Sequence, residues 1–94
     1  MAEGQTRMDG NAAAGLLAEI FSFEMTTSPA RCAGCGTNHL IGTLLMYGGP
    51  MGMILRCPGC DTAMIRIAFI RDEYVLDLRG TRTLRLPAGA AQPA

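Results

Sequence analysis

Four cysteines in two pairs are the residues of this chain most suited to chemistry. The pairs read Cys32-Ala33-Gly34-Cys35 and Cys57-Pro58-Gly59-Cys60. Two C-x2-C pairs offer four thiolates, the ligand set that closes tetrahedrally around one zinc ion. The 21 residues between Cys35 and Cys57 suit two strands and a turn, which would return the chain to its starting point. The spacing therefore predicts a metal site made by Cys32, Cys35, Cys57 and Cys60.

The same cysteines allow other chemistry. Iron in a rubredoxin-like site uses the same four thiolates, so the pairs alone do not separate zinc from iron. Two disulfides or a dithiol redox centre also fit the C-x-x-C spacing, although redox use would not require a second matched pair. Four thiolates leave no open position for water or substrate, so we expect a structural zinc ion rather than a catalytic one.

Three further residues lie close to the pairs in sequence. His39 follows Cys35 by four residues, but four cysteines already complete the ligand set, so we expect His39 at the surface or beside the ligands. Arg31 and Arg56 each precede a pair directly. They could offset the negative charge of the thiolates or donate to sulfur, or they could be solvated strand ends, and both interpretations stay open.

A helix is predicted ahead of the first pair. Leu16, Leu17 and Ile20 recur at helical spacing and predict a helix over about 11–24, which Asp9 or Asn11 could cap. The proline that follows at position 29 prevents this helix from continuing into the cysteine region.

Strands are predicted from Leu40 onward. A turn signal at Gly48-Gly49-Pro50 divides two β-prone segments into a hairpin that joins the cysteine pairs, and alternating apolar residues continue beyond Cys60. The predicted strands are 40–47, 51–56, 64–70, 74–79 and a short edge strand within 81–86.

The length of 94 residues allows one small domain. Composition divides the chain into a disordered tail at 1–8, a single domain at 9–86 and a disordered tail at 87–94. Because so short a chain buries a modest core, a bound metal would supply a material part of its stability.

The order of these motifs resembles the zinc-ribbon class: C-A-G-C-G, a hairpin, C-P-G-C-D and a further strand, over roughly residues 30–70. The wider arrangement includes Met8-Asp9-Gly10-Asn11, Glu24-Met25-Thr26-Thr27 and Val75-Leu76-Asp77-Leu78-Arg79-Gly80. Over about 8–86 it is similar to a bacterial family of small uncharacterised zinc-ribbon-like proteins. The resemblance implies an α+β fold, a small antiparallel zinc-ribbon sheet of four or five strands with one N-terminal α-helix, and it implies no established activity.

The charges of the chain balance. Eight arginines, no lysines and eight carboxylates give a formal net charge of zero, so no broad field attracts nucleic acid or an anionic membrane. Arginines of the C-terminal half could form a phosphate-contacting face, but carboxylates interleave with them in sequence, which favours mixed, solvated faces. The arginines are Arg66, Arg71, Arg79, Arg82 and Arg85, and the carboxylates are Asp61, Asp72, Glu73 and Asp77.

The expected function is a non-catalytic interaction or adaptor module. The chain shows no Ser-His-Asp set, glycine-rich phosphate loop or close acidic pair, so we expect no enzyme. Met46, Met51 and Met53 could pack in the core or form a protein-contact tip. The expected partner is another protein or a second copy, because one helix cannot cover both faces of so apolar a sheet. The alternatives are a nucleic-acid-associated regulator that uses the arginine face, and a rubredoxin-like iron or thiol redox protein.

A cytoplasmic location is expected. The first residues lack the basic region and apolar core of a secretory signal, and no apolar run approaches the roughly 18 residues of a membrane span. In a reducing cytosol, paired cysteines are more often metal ligands than disulfides.

Overall fold

The computed structural model describes residues 6–21, 24–49 and 52–86. This part of the chain contains one α-helix, two short 3-10 helices and eight strands. The strands are β1 (Thr6–Asp9), β2 (Pro29–Cys32), β3 (Asn38–Leu40), β4 (Leu45–Gly49), β5 (Gly52–Arg56), β6 (Ala63–Ile70), β7 (Glu73–Asp77) and β8 (Thr81–Leu84). The 3-10 helices span Gly10–Ala13 and Ile41–Thr43, and the helix α1 spans Ala14–Ile20.

The strands form two antiparallel sheets. One has five strands in the order β1-β4-β5-β6-β7, and the other has three in the order β3-β2-β8. A small, mostly antiparallel β fold with one short helix agrees with the predicted class. The second sheet was not predicted. It exists because the segment between the pairs is not one hairpin: β3 ends at Leu40, a 3-10 helix intervenes, and the β4-β5 hairpin begins only at Leu45.

A single core lies between the helix and both sheets. Alternation along the strands points Leu55 and Ile65, which are register partners, into this core. The helix contributes Leu17, which is buried, and β2 contributes Ala30. Burying a leucine or isoleucine side chain contributes about 1.5–3 kcal/mol, so these contacts fasten the two sheets to each other.

The helix is shorter than the predicted span of 11–24. It begins after a 3-10 turn and ends at Ile20, because Phe21 turns to extended geometry while its amide bonds to the Leu17 carbonyl at 2.8 Å. The predicted side-chain cap is wrong: Ala13 occupies the N-cap position and makes no side-chain hydrogen bond. The predicted apolar stripe is confirmed, since Leu17 is buried and its partly buried neighbours pack against the core.

Strand β1 corrects the predicted tail. Residues 6–8 belong to the five-stranded sheet, where Met8 is the register partner of Met46. Backbone pairing holds this polar segment in place, and composition alone does not reveal such pairing. Residues 1–5 and 87–94, the remainder of the predicted tails, lie outside the described residues.

The strands after the second pair are confirmed in position. Strands β6 and β7 match the predicted 64–70 and 74–79, and their two-residue turn places Arg71 and Asp72 at positive φ of 50° and 66°. This is the geometry of a type I′ hairpin. The predicted edge strand at 81–86 is present as β8, but it joins the second sheet beside β2. Among the described residues, no helix is long and apolar enough to cross a membrane.

Candidate metal centre

Two hairpin turns present the cysteines. The first pair lies in the turn between β2 and β3 of the three-stranded sheet, and the second lies between β5 and β6 of the five-stranded sheet. We call residues 31–37 the first knuckle and residues 56–62 the second knuckle. The four sulfurs therefore come from two sheets, and whatever binds them links these sheets directly.

The structure brings the four predicted sulfurs together. All four Sγ atoms lie within 4.8 Å of one another, with 3.5 Å between Cys32 and Cys60 and 3.7 Å between Cys35 and Cys57. A zinc ion with bonds of about 2.3 Å to four sulfurs sets them about 3.8 Å apart. All four thiols are free. Such a cluster can hold a metal ion, and its dimensions fit tetrahedral coordination.

Backbone amides point at the buried sulfurs. The Gly34 amide donates to Cys32 Sγ and the Gly59 amide donates to Cys57 Sγ, each at 3.3 Å. Amide donors stabilise the anionic form of a thiol, which is the form that binds metal. Each knuckle thus supplies the same polar support to its first cysteine.

The two knuckles repeat a longer pattern than the cysteine pair. Both read Arg-Cys-x-Gly-Cys-x-Thr, at 31–37 and 56–62. In each, the amide of the first cysteine donates to the carbonyl of the threonine, at 3.0 Å for Thr37 and 2.9 Å for Thr62. These threonines were not predicted to take part in the site. The seven-residue repeat is the sequence signal that could have identified them.

The arginines that begin each knuckle close it from the side. Arg31 Nε donates to the Gly36 carbonyl at 3.0 Å, and Arg56 Nη1 donates to the Asp61 carbonyl at 2.8 Å. The guanidinium of Arg56 also lies 5.9 Å from the ring centre of Tyr47. This role differs from both predicted ones: each arginine donates to the backbone carbonyl of the residue that follows the second cysteine.

Each exposed thiol lies beside the threonine of its own knuckle. The hydroxyl and then the amide of Thr37 lower the pKa of Cys35 from 9.0 to about 6. In the second knuckle, Cys60 Sγ and Thr62 Oγ1 are 3.1 Å apart. In each knuckle the threonine therefore contacts the second cysteine, and the amide of the glycine donates to the first cysteine.

The buried thiols differ from each other. Burial raises the pKa of Cys57 to about 11, despite amide donors from its own turn. Burial also raises the pKa of Cys32, but the amides of Cys35 and Gly34 outweigh it, together with the side chains of Cys60 and Thr62, and the net shift is downward. A bound cation would remove the cost of a buried thiolate at Cys57, because its charge favours the deprotonated form.

Comparison with known proteins places the chain in a family. A family model, described as a family of unknown function, matches residues 3–89 and so includes both knuckles and both sheets. The chain belongs to DUF6510. No curated protein matches the chain, and no solved structure does. Family membership therefore leaves the function of this DUF6510 protein to be argued from its site and surfaces.

Gly34 lies where the two knuckles of the DUF6510 chain meet. A Cβ at this position would be 2.2 Å from Thr62 Oγ1 and 3.2 Å from Cys60 Sγ. At the equivalent Gly59, the nearest atom would be Cys57 Sγ at 3.7 Å, an ordinary contact. The first knuckle thus packs its glycine against the second, and the reverse contact does not occur.

His39 is separate from the sulfur cluster. It lies on β3 as the register partner of Ala30, and it is half-buried. Its Nε2 is buried and has no hydrogen-bond partner among the described residues. The structure does not place it among the sulfurs, and it is less exposed than the predicted surface position.

The five arginines of the predicted phosphate face do not share one face. Arg79 forms a bidentate ion pair with Asp77, with a shortest distance of 2.7 Å. This pair, with a smaller contribution from Arg66, lowers the pKa of Asp77 to about 2. Arg71 lies in the β6-β7 turn, whereas Arg82 lies on β8 in the other sheet.

The two described methionines of the predicted contact tip pack in or against the core. Met46 is buried, and Met53 is half-buried against the core cluster, while Met51 lies outside the described residues. Exposed apolar side chains occur instead on the β6-β7 hairpin: Phe69, Ile70, Tyr74 and Val75 are each 38–50% exposed.

Proposed function

We propose that this DUF6510 protein is a structural-zinc protein that acts as a non-catalytic interaction module. Cys32, Cys35, Cys57 and Cys60 would hold one zinc ion as in a zinc ribbon. The observation that carries the proposal is the meeting of four sulfurs from two sheets within 4.8 Å.

The proposed ion is structural because four thiolates fill its coordination shell. A catalytic zinc ion keeps one position for water or substrate, and this ligand set leaves none. When bound, the zinc ion would supply a tetrahedral cross-link and positive charge. The knuckles' own part is to hold the sulfurs at the required spacing, to donate amides to them and to exclude water from Cys32 and Cys57.

The proposed cross-link would dominate the stability of the fold. Structural zinc sites in small domains contribute about 10–16 kcal/mol of apparent binding free energy at neutral pH. A whole domain is commonly stable by about 5–15 kcal/mol. Removing the ion is therefore expected to unfold the chain.

The interaction role is supported by exposed apolar residues away from the knuckles. Phe69 is 50% exposed and Val75 is 47% exposed, and both lie on the hairpin at the edge of the five-stranded sheet. An open edge strand with apolar side chains can pair with another chain. The proposed partner is another protein or a second copy.

Metal analysis tests the zinc proposal. We expect one zinc ion per purified chain, and tetrahedral thiolate absorption after replacement by cobalt. A Cys35→Ser variant should lose the stoichiometric ion, whereas a Thr43→Ser variant, altered outside the knuckles, should retain it. A red protein with visible thiolate-to-iron absorption bands would show that the bound ion is iron and not zinc. A folded chain without any metal would contradict both the zinc and the iron assignment.

Light scattering tests self-association through the apolar hairpin. If a second copy is the partner, the chain should dimerise as its concentration rises, and Val75→Lys should weaken the dimer. The matched exposed substitution Thr83→Lys, on the other sheet, should leave it unchanged. A strict monomer would remove the homodimer and leave a different protein as the proposed partner.

A further inference from the structure

The three-stranded sheet carries charge of one sign. Strands β2, β3 and β8 contain Arg31 and Arg82 and no carboxylate, and Arg85 follows β8 directly. The five-stranded sheet, in contrast, carries Glu73 and Asp77 on β7. Carboxylates that interleave with the arginines in sequence are therefore separated from them by the topology.

The strand register places Arg31 and Arg85 on one face. Ala30 is buried and pairs with Leu84, so the next pair, Arg31 and Thr83, points to the opposite side of the sheet. The Arg85 amide donates to the Pro29 carbonyl at 2.9 Å, which continues the pairing by one residue. Arg85 thus shares the outer side with Arg31.

Two neighbours complete this surface. Asn38 pairs with Arg31 from β3 and is exposed. Arg82 lies at the irregularity in the β2-β8 register and is also exposed. We call Arg31, Asn38, Arg82, Thr83 and Arg85 the basic face.

Among the described residues, no carboxylate forms an ion pair with the arginines of the basic face. The two ion pairs among the described residues join Arg56 to Asp61 and Arg79 to Asp77, and neither reaches this face. Arg31 uses its Nε for the Gly36 carbonyl, which fixes its guanidinium at the rim of the first knuckle. The net charge of zero thus conceals a local positive surface.

The spacing and chemistry of the basic face suit phosphates. Strand separations of about 4.8 Å and a rise of about 3.3 Å per residue put the Cα atoms of Arg31 and Arg85 about 8 Å apart. Guanidinium groups bind phosphate oxygens through two parallel hydrogen bonds, and the hydroxyl of Thr83 and the amide of Asn38 add donors.

We infer that the basic face binds the phosphodiester backbone of nucleic acid without regard to sequence. The face has no aromatic side chain among its described residues, so it lacks the platforms that stack bases, and its contacts would be to phosphates. Contacts to phosphate position a protein on nucleic acid but carry no sequence information. The basic face would be a second binding surface, on the other sheet from the apolar hairpin, and the inference rests on the proposed zinc site because that site holds the end of β2.

Fluorescence anisotropy of the zinc-loaded full chain tests this inference. The probes are a labelled 20-nucleotide oligouridine and a 20-base-pair DNA duplex at about 25 mM salt. Arg82→Gln/Arg85→Gln should weaken binding at least tenfold and reduce the salt dependence by about 1.4–1.8 logarithmic units per decade. The matched variant Arg66→Gln/Arg71→Gln, with the same charge change on the other sheet, should stay within twofold.

Three results would overturn the inference: no binding by the wild type at 100 µM, equal weakening in both double variants, or tighter binding of a 20-residue polyglutamate peptide. The peptide result would assign the face to acidic proteins. Zinc content and circular dichroism, measured on each variant, separate the two proposals. Chains that bind oligouridine without zinc would refute the metal proposal alone, and zinc-loaded chains that do not bind would refute the basic-face inference alone.

Discussion

The two knuckles share a sequence pattern and a set of hydrogen bonds but not their surroundings. Gly34 of the first knuckle abuts Thr62 of the second, whereas Gly59 has open space on all but one side. After the second cysteine, the first knuckle has Gly36 at φ 78°, and the second has Asp61 at φ 67°. The shared motif therefore determines the conformation of each turn. The contact between the turns determines which knuckle tolerates substitution.

The pKa values of the two buried thiols also differ between the knuckles. Cys32 and Cys57 hold equivalent places and are both buried, yet the pKa of Cys32 is lowered and the pKa of Cys57 is raised to about 11. Cys32 has Thr62 and Cys60 of the other knuckle as additional donors. Neighbours across the site, and not the pattern itself, therefore set the ease with which each sulfur ionises.

The largest expected effect is the loss of a buried sulfur. Cys32→Ser and Cys57→Ser should each abolish stoichiometric zinc and leave the chain unfolded, because the proposed ion contributes about as much free energy as the whole fold possesses. Zinc content and far-ultraviolet circular dichroism measure both outcomes. A variant that kept its β spectrum without metal would contradict the proposed role of the ion in holding the two sheets together.

Acidification should weaken zinc binding further once Cys35, the second cysteine of the first knuckle, takes up a proton. The pKa of Cys35 in the fold lies below its ordinary value, so its stabilising contribution is full above pH 9.0 and is lost as the pH falls through about 6. Competition with a chelator, corrected for the chelator's own protonation, should therefore favour the chelator at least tenfold more at pH 5 than at pH 7. Thr37→Val should move this loss to higher pH, whereas unchanged retention across the range would contradict the assignment.

Alanine at the glycine of each knuckle tests the contact between them. Gly34→Ala should cost about 1–3 kcal/mol in the free energy of unfolding, since its Cβ would overlap Thr62. Gly59→Ala should change that free energy by less than about 0.5 kcal/mol. Urea unfolding of zinc-loaded protein measures both, and equal costs would mean that the knuckles are interchangeable.

Loss of Arg31 or Arg56, the arginines that begin the two knuckles, should have a smaller effect on stability than Gly34→Ala. Arg56→Ala should reduce the free energy of unfolding by about 1 kcal/mol, because the half-buried side chain bonds to the Asp61 carbonyl and lies over Tyr47. Arg31→Ala should cost less, since its bond to the Gly36 carbonyl is exposed to water. The same urea experiment checks the order, and a larger loss at Arg31 would reverse it.

The smallest expected effect is relief of backbone strain in the second knuckle. Asp61→Gly should raise the melting temperature by about 2–4 °C, because glycine adopts a φ of 67° without steric cost. Asp61→Ala should lower it, since alanine is less suited to this region than aspartate. Calorimetry of both variants decides the matter, and a stabilising alanine would exclude strain at this residue.

Local patterns predicted the elements better than their partners. Alternation along β6 and β7 located both strands, and the cysteine spacing predicted that the sulfurs would meet, as they do in the fold. The pairing of β8 with β2 joins segments about 50 residues apart and has no local signal, so the second sheet was not predicted. Of the predicted arginine face, only Arg82 and Arg85 lie with this sheet. The 3-10 turn that begins at Gly10 likewise moved the helix start. Gly10 packs so closely against the backbone of Ile41 and Gly42 that a Cβ there would lie 1.8 Å from the Ile41 carbonyl oxygen, and this contact between distant segments has no local signal.

The central claim is that one zinc ion joins the two knuckles and thereby the two sheets. Titration of the metal-free chain with zinc, followed by far-ultraviolet circular dichroism, tests it most directly. We expect a largely unstructured spectrum without metal that converts to the β spectrum and saturates at one equivalent of zinc. A metal-free chain with the full β spectrum, unchanged by added zinc, would contradict the claim.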